Sequence, residues 1–226
     1  MSKPFTIIGL TGPKACGKDT VADLLATHCG FVKLAFADTL RQEIADAFGV
    51  ETLYLTRRDT KEQPMGCLAL DKCHADGFVG RMIIAHEEQG IKLDRAAPRS
   101  PRQIMQWWGT DYRRHQSPNY WVRQTSARIS YLLRERIAHR IVVTDCRFDN
   151  EVGIIRNDHG GQIWQIKREG ITVAPGSHPS ETTGEGFNPD AVINNSHDIR
   201  HLQQLVLGEF WAYDAGLTGV KVEIEA

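Results

Sequence analysis

The sequence predicts an α/β protein built on a mostly parallel sheet, and three observations carry that prediction. The chain opens strand, helix, strand, helix, an alternation that favours parallel strands with helical crossovers. The first strand, Thr6 to Leu10, runs straight into Gly12-x-x-x-x-Gly17-Lys18 and then into a segment of helical spacing. Further along, Arg140–Asp145 (RIVVTD) is a β-branched run without alternation, as a strand buried on both faces requires.

The opening stretch Thr6–Thr20 (TIIGLTGPKACGKDT) organises the rest. Val21, Leu24, Leu25 and His28 repeat at i, i+3, i+4 and i+7, so a helix follows the glycine loop. Strand, glycine loop and helix form the context of a P-loop, in which main-chain N–H groups and the helix N-terminus cradle phosphate. Gly12, Ala15, Gly17, Lys18, Asp19 and Thr20 make up this loop and helix start, with Lys18 placed to reach the β- and γ-phosphates of a nucleotide. Asp19 stands where Ser or Thr is usual, and the hydroxyl follows as Thr20. A carboxylate can ligate Mg²⁺ directly or through water.

Phe31–Phe36 reads as the second strand, Asp38 as an N-cap, and Leu40, Ile44, Ala47 and Phe48 as the apolar face of a helix closed by Gly49. Asp38 and Arg41 would sit at a strand's C-terminal end, as ligand-facing groups or as a cap with a solvated arginine. Arg57, Arg58, Lys61 and Glu62 form a charged cluster, either a solvated loop or a phosphate-binding group. Phe78–Gln89 has helical spacing. Ser100-Pro101-Arg102-Gln103 carries the marks of a helix start: Ser100 as cap, Pro101 at the first position, Gln103 completing a capping box. Ile104, Met105 and Trp108 form its apolar face, and Gly109 is its expected end. Arg102 lies in the first turn against the helix dipole, a placement that an anionic ligand would explain. GTDYRRHQSPNYW then suits either recognition of base, sugar and phosphate or an ordinary interhelical loop. A helix over about 119–136 turns Trp121, Val122, Thr125, Ile129 and Leu132/Leu133 inward.

Asp145, at the end of RIVVTD, is read as a Walker-B-type carboxylate for the Mg²⁺ shell or for orienting the acceptor, the alternative being a helix cap. Arg147 follows, and Asp149-Asn150-Glu151 opens a helix. Gln162–Lys167 is a strand after the turn Gly160-Gly161, and Ala191–Asn194 a last short one. Between them, residues 168–190 have the Gly, Pro, Ser and Thr content of a flap or of a surface loop. Ser196 is the expected cap of a helix with Leu202, Leu205 and Val206 inward. Val220, Val222 and Ile224 alternate as an edge strand would.

Composition sets limits. The 226 residues are 41% hydrophobic and 24% charged, ordinary values for one globular domain. Net charge is −1, which argues against non-specific nucleic-acid binding. Five cysteines at irregular spacing do not form a secreted disulfide framework, and Cys67, Cys73 and His74 match no zinc knuckle. No apolar run reaches the roughly 18 residues of a membrane span, and no apolar leader precedes the first strand. The expectation is a soluble, cytoplasmic protein. Trp107, Trp108 and Trp211 belong either to the core or to a homodimer interface.

Together, GPKACGKDT, PRQIMQWWGTD with the following YW, VVTDCRFDNE and SHPSE…PDAVINN resemble the bacteriophage-type deoxynucleoside monophosphate kinases, a branch of the P-loop nucleoside monophosphate kinases. The resemblance runs from near residue 6 to near residue 207, and the Gly-Lys-Asp variant is itself a family feature. It implies a three-layer α/β/α fold with a five-stranded core and a central P-loop strand. It treats residues 1–226 as one domain, with a helical acceptor-binding region over about 37–135 and a flap over about 168–190. The implied activity is transfer of the γ-phosphoryl of ATP, with Mg²⁺, to a deoxynucleoside monophosphate. Lys14 would bridge donor and acceptor phosphates. Arg57 or Arg58, Arg102, Gln106 and Asp111 would form the acceptor side with Asp38 and Asp145, and Trp121 the base platform. Lys18, Lys14, Arg147 and Asp145 would serve the transfer, Asp19 and Asp145 the metal, and Arg168 and His178 the flap. Ala15 departs from members that carry arginine there. A dephospho-coenzyme A kinase type is the nearest alternative, and an ATP-binding regulator without transfer is another.

Overall fold

The computed structural model describes residues 5–57, 59–171 and 188–217. The helices are α1 Lys18–Cys29, α2 Phe36–Phe48, α3 Leu53–Thr56, α4 Asp76–Glu87, α5 Pro101–Gln106, α6 Tyr120–Arg134, α7 Asp149–Gly153 and α8 Ile199–Asp214. The strands are β1 Thr6–Thr11, β2 Val32–Leu34, β3 Arg140–Val143, β4 Gln162–Lys167 and β5 Ala191–Asn194. The chain divides into two compact units, Met1–Phe36 with Thr125–Ala226, and Ala37–Gln124.

The first unit holds the sheet, ordered β2-β3-β1-β4-β5, with every pairing parallel and the strand before the glycine loop in the centre. All six residues of β1 are buried, which is why its sequence is an unbroken run rather than an alternation. Alternate residues still part to opposite faces. Ile8, Leu10, Val142, Trp164, Ile166 and Ile193 pack with Val21 and Leu25 of α1 and with Leu202, Val206 and Phe210 of α8. Phe210 meets Phe31 edge-on at 5.3 Å. Each such large apolar side chain contributes about 1.5–3 kcal/mol by leaving water. On the other face Gly9 admits close packing: a Cβ there would lie 2.7 Å from Cys146 Sγ and 2.8 Å from Ile163 Cδ1.

The second unit is helical, with the small irregular pairing Met65–Arg99. Its centre is aromatic: Phe78 lies 4.5 Å from Trp108 and 5.6 Å from Tyr112, ring centre to ring centre.

Several expectations are corrected. The second strand is only Val32–Leu34, because Phe36 already begins α2. Asp38 therefore sits in the first turn of α2 rather than capping it, and accepts a hydrogen bond from Arg41 at 2.9 Å. Gly109 does not end its helix. The helix widens to π geometry over Trp107–Arg114 with Gly109 buried inside it, where a Cβ would make ordinary contact with Leu40 at 3.4 Å. Asp198, not Ser196, caps α8, its carboxylate accepting from His201 N–H. Leu205 is only partly buried against the core. Trp108 is buried and Trp211 exposed. The edge strand expected at Val220, Val222 and Ile224 lies outside the described residues.

Candidate functional site

The glycine loop follows β1 and ends on α1. Gly12 and Gly17 take φ of 136° and 108°, and Ala15 lies at 64°. Gly12 is not replaceable on space alone, since a Cβ there would stand 2.3 Å from the Ile166 carbonyl oxygen; one on Gly17 would stand 2.3 Å from Asn195 Nδ2 and displace that carboxamide. Lys18 folds back over the loop, its ammonium donating to the carbonyls of Gly12 at 2.7 Å and Pro13 at 2.8 Å. Burial lowers its pKa; Cys16 and Asp19 counter this, while nearby Arg147 adds to it. Lys14, Ala15 and Asp19 are exposed at the loop rim, and Thr20 is half-buried in the first turn of α1.

The Asp145–Arg147 segment is set beside β1, with Cys146 N–H donating to the Leu10 carbonyl at 3.0 Å. Asp145 Oδ1 accepts from Phe36 N–H at 2.7 Å. The carboxylate thus serves the start of α2, and the capping alternative describes at least one of its oxygens. Glu151, 2% exposed, accepts from the N–H groups of Arg147 at 2.7 Å and Phe148 at 3.2 Å. A buried carboxylate satisfied by two main-chain donors holds the turn from which Arg147 projects. Asp19 and Thr20 on one side of the loop, and Asp145 beyond β3, are hard oxygen donors of the kind that Mg²⁺ accepts. Arg168 is exposed just after β4. Arg58, His178 and most of the expected flap lie outside the described residues.

In the helical unit the start of α5 forms as expected: Ser100 Oγ accepts from Gln103 N–H at 3.2 Å, with Pro101 at the first position. Arg102, however, donates to Glu62 through Nε, and its N–H donates to the Lys61 carbonyl at 3.0 Å. The charged cluster therefore supplies the anion that the arginine's position called for. Gln106 and Asp111 are half-buried on the same continuous helix, and Arg57 is exposed after α3. The base-platform expectation for Trp121 is corrected: its indole is 3% exposed and donates to the Gly109 carbonyl at 3.0 Å, so it packs rather than presenting a face.

Sequence reasoning missed Glu43. Its carboxylate accepts from Trp108 Nε1 at 2.8 Å, from Arg113 Nε at 2.8 Å and from Tyr120 OH. Arg113 lies over the rings of Tyr112 and Tyr120 at 4.9 and 4.8 Å. Burial, then the hydrogen bond to Glu43, raises the Tyr120 pKa. Nothing local marks Glu43, since its partners lie 65 to 77 positions away. Asn195 was also missed. It stands in the PDAVINN stretch, and its Nδ2 donates to the Cys16 carbonyl at 2.8 Å.

A family model described as deoxynucleotide monophosphate kinase matches residues 73–206, more than half of the chain. A protein of Acanthamoeba polyphaga mimivirus named "Putative deoxynucleotide monophosphate kinase" is 27% identical over 214 residues, covering 90% of this chain and 95% of its own. Among solved structures, a dephospho-CoA kinase from Campylobacter jejuni matches at 13% identity and a TM-score of 0.45, covering 93% of this chain and 98% of its own. A gluconokinase from Sinorhizobium meliloti matches at 14% and 0.43, covering 96% and 97%.

Proposed function

The chain belongs to the deoxynucleotide monophosphate kinase family, and we propose that it moves the γ-phosphoryl group of ATP to the 5′-phosphate of a deoxynucleoside monophosphate. The bond from the γ-phosphorus to its bridging oxygen breaks, a bond from an acceptor phosphate oxygen forms, and ADP leaves with a deoxynucleoside diphosphate. The observation that carries this reading is the loop Gly12–Lys18. It lies outside the matched residues 73–206 and has the left-handed glycines and the lysine, Lys18, that support a polyphosphate reading.

Little covalent chemistry falls to the protein, which aligns the phosphates and neutralises charge on the moving group. Lys18 leaves the Gly12 and Pro13 carbonyls for the β- and γ-phosphates. Arg147, held by Glu151, and Lys14 add positive charge. Arg102, with Gln106, Asp111, Arg57 and Arg58, is the proposed acceptor set, and Asp38 joins it with less support because it is exposed and paired with Arg41. Asp19, Thr20 and Asp145 are the candidates to hold Mg²⁺, which when bound would neutralise phosphate charge. No residue is assigned as general base, because the acceptor phosphate is already an anion at neutral pH.

The test is ADP release with ATP–Mg²⁺ and a panel of acceptors: dAMP, dGMP, dCMP, dTMP, their ribose forms and dephospho-coenzyme A. Turnover with one or more deoxynucleoside monophosphates is expected. Turnover with dephospho-coenzyme A alone would replace the acceptor assignment, and ATP binding without turnover on any acceptor would make the chain a regulator.

A further inference from the structure

We infer that Asn195 is a positioning residue for the donor nucleotide: it fixes the peptide between Cys16 and Gly17 so that the Gly17 N–H faces the phosphate. The inference deepens the proposed function and rests on its assignment of Gly12–Lys18 to ATP. Three observations meet at this residue. Asn195 Nδ2 donates to the Cys16 carbonyl at 2.8 Å. Its own N–H donates to the Lys167 carbonyl at 2.7 Å, so the residue is anchored at the end of β4, immediately beyond β5. Finally, Gly17 leaves the space in which the carboxamide sits, since a Cβ there would stand 2.3 Å from Nδ2.

The consequence follows from the planarity of the peptide. In a trans peptide the C=O and the following N–H point in opposite directions, and the chain contains no cis peptide bond among the described residues. With the Cys16 carbonyl turned onto Asn195, the Gly17 N–H is turned to the opposite side, the side assigned to the phosphate. Gly17 also precedes the first residue of α1, so this N–H adds to the helix terminus as an anion donor. At φ 108° the glycine backbone has other accessible conformations, and a peptide flip would bring a carbonyl toward phosphate in place of a donor. The Asn195 hydrogen bond selects against that flip. Asn195 need not touch the nucleotide to act in this way.

The test uses the full chain with Asn195→Ala and Asn195→Asp. Alanine removes the donor, and aspartate keeps the shape but offers the Cys16 carbonyl only acceptors. ATP and ADP affinities are measured directly by calorimetry, the acceptor KM by ADP release, and Tm by scanning calorimetry. The expected result is a loss of about tenfold in ATP and ADP affinity in both variants, the scale of one lost hydrogen bond to a charged group, with the acceptor KM within twofold and Tm little changed. ATP affinity within twofold of the unsubstituted chain would overturn the inference. Equal weakening of donor and acceptor together with a lowered Tm would also overturn it, by making Asn195 merely structural. Direct ADP binding needs no turnover, so an inactive unsubstituted chain would defeat the proposed reaction while leaving this comparison readable.

Discussion

In the loop Gly12–Lys18 the working groups are main-chain amides and one lysine, whereas in the helical unit Ala37–Gln124 they are side chains that neutralise one another. Around the loop, glycines at φ 136° and 108° shape the backbone, and the Lys18 ammonium folds back onto the Gly12 and Pro13 carbonyls. In the helical unit Arg102 is paired with Glu62, and Arg113 with Glu43. The first arrangement is the one proposed to take an anion. The second must exchange an internal partner for a ligand, or else serves stability. A site made of backbone is thus prepared by local chain geometry, while a site made of side chains carries a competing internal ligand.

The strongest way to test the contrast is to remove the lysine charge of the loop. Lys18→Ala is expected to lower kcat by about 10³-fold, the scale of a lost electrostatic contact to a developing charge, while Tm stays within a few degrees. A loss under tenfold would mean that the loop does not hold the transferred phosphate.

The complementary change strikes the helical unit. Glu43→Ala leaves the Trp108 and Tyr120 donors and the Arg113 guanidinium without their carboxylate, in a pair whose side chains are 19% and 24% exposed. The expected cost is about 2 kcal/mol, or about 4–8 °C in Tm for a chain of this size. A calorimetric Tm shift below a degree would show the network to be dispensable.

Arg102 sharpens the comparison at smaller scale. Arg102→Ala should raise the deoxynucleoside monophosphate KM more than the ATP KM. Glu62→Ala should move the monophosphate KM the other way, by a few-fold, because it removes the arginine's internal partner; that effect is of the size of a partly exposed ion pair. Equal rises in both KM values for Arg102→Ala would take Arg102 out of the acceptor set.

The smallest effect concerns His159 in the sheet unit, whose Nε2 lies 3.1 Å from Ser126 Oγ. Burial lowers its pKa, with Asp158 opposing. The unfolded chain therefore takes up its proton first as pH falls, so stability declines from above an ordinary imidazole pKa of about 6.5 down through the folded-state value. His159→Gln should flatten the fall of Tm across that window, and an unchanged slope would assign the pH dependence elsewhere.

Much of this was legible in the sequence because it depends on neighbours along the chain. The β1 run, the glycine loop, the Ser100–Pro101 helix start and the strands at Gln162–Lys167 and Ala191–Asn194 all follow from local propensity and spacing. Gly109 shows where that logic ends. Its residue type suits a helix terminus, yet it lies buried inside a continuous helix. Trp121 is similar: an aromatic residue is legible, but whether its face is open or covered is decided by Gly109 and its neighbours.

By itself, the sequence determined the α/β class, the glycine loop between β1 and α1 and the kinase family, because main-chain conformation and motif spacing are short-range properties. Only the tertiary structure decided that Glu62 answers Arg102, that Glu43 gathers Trp108, Arg113 and Tyr120, and that Asn195 reaches the Cys16 carbonyl from 179 positions away. Such pairings carry no local signature, since any exposed-looking Glu or Asn could make them, and chain topology alone selects which one does.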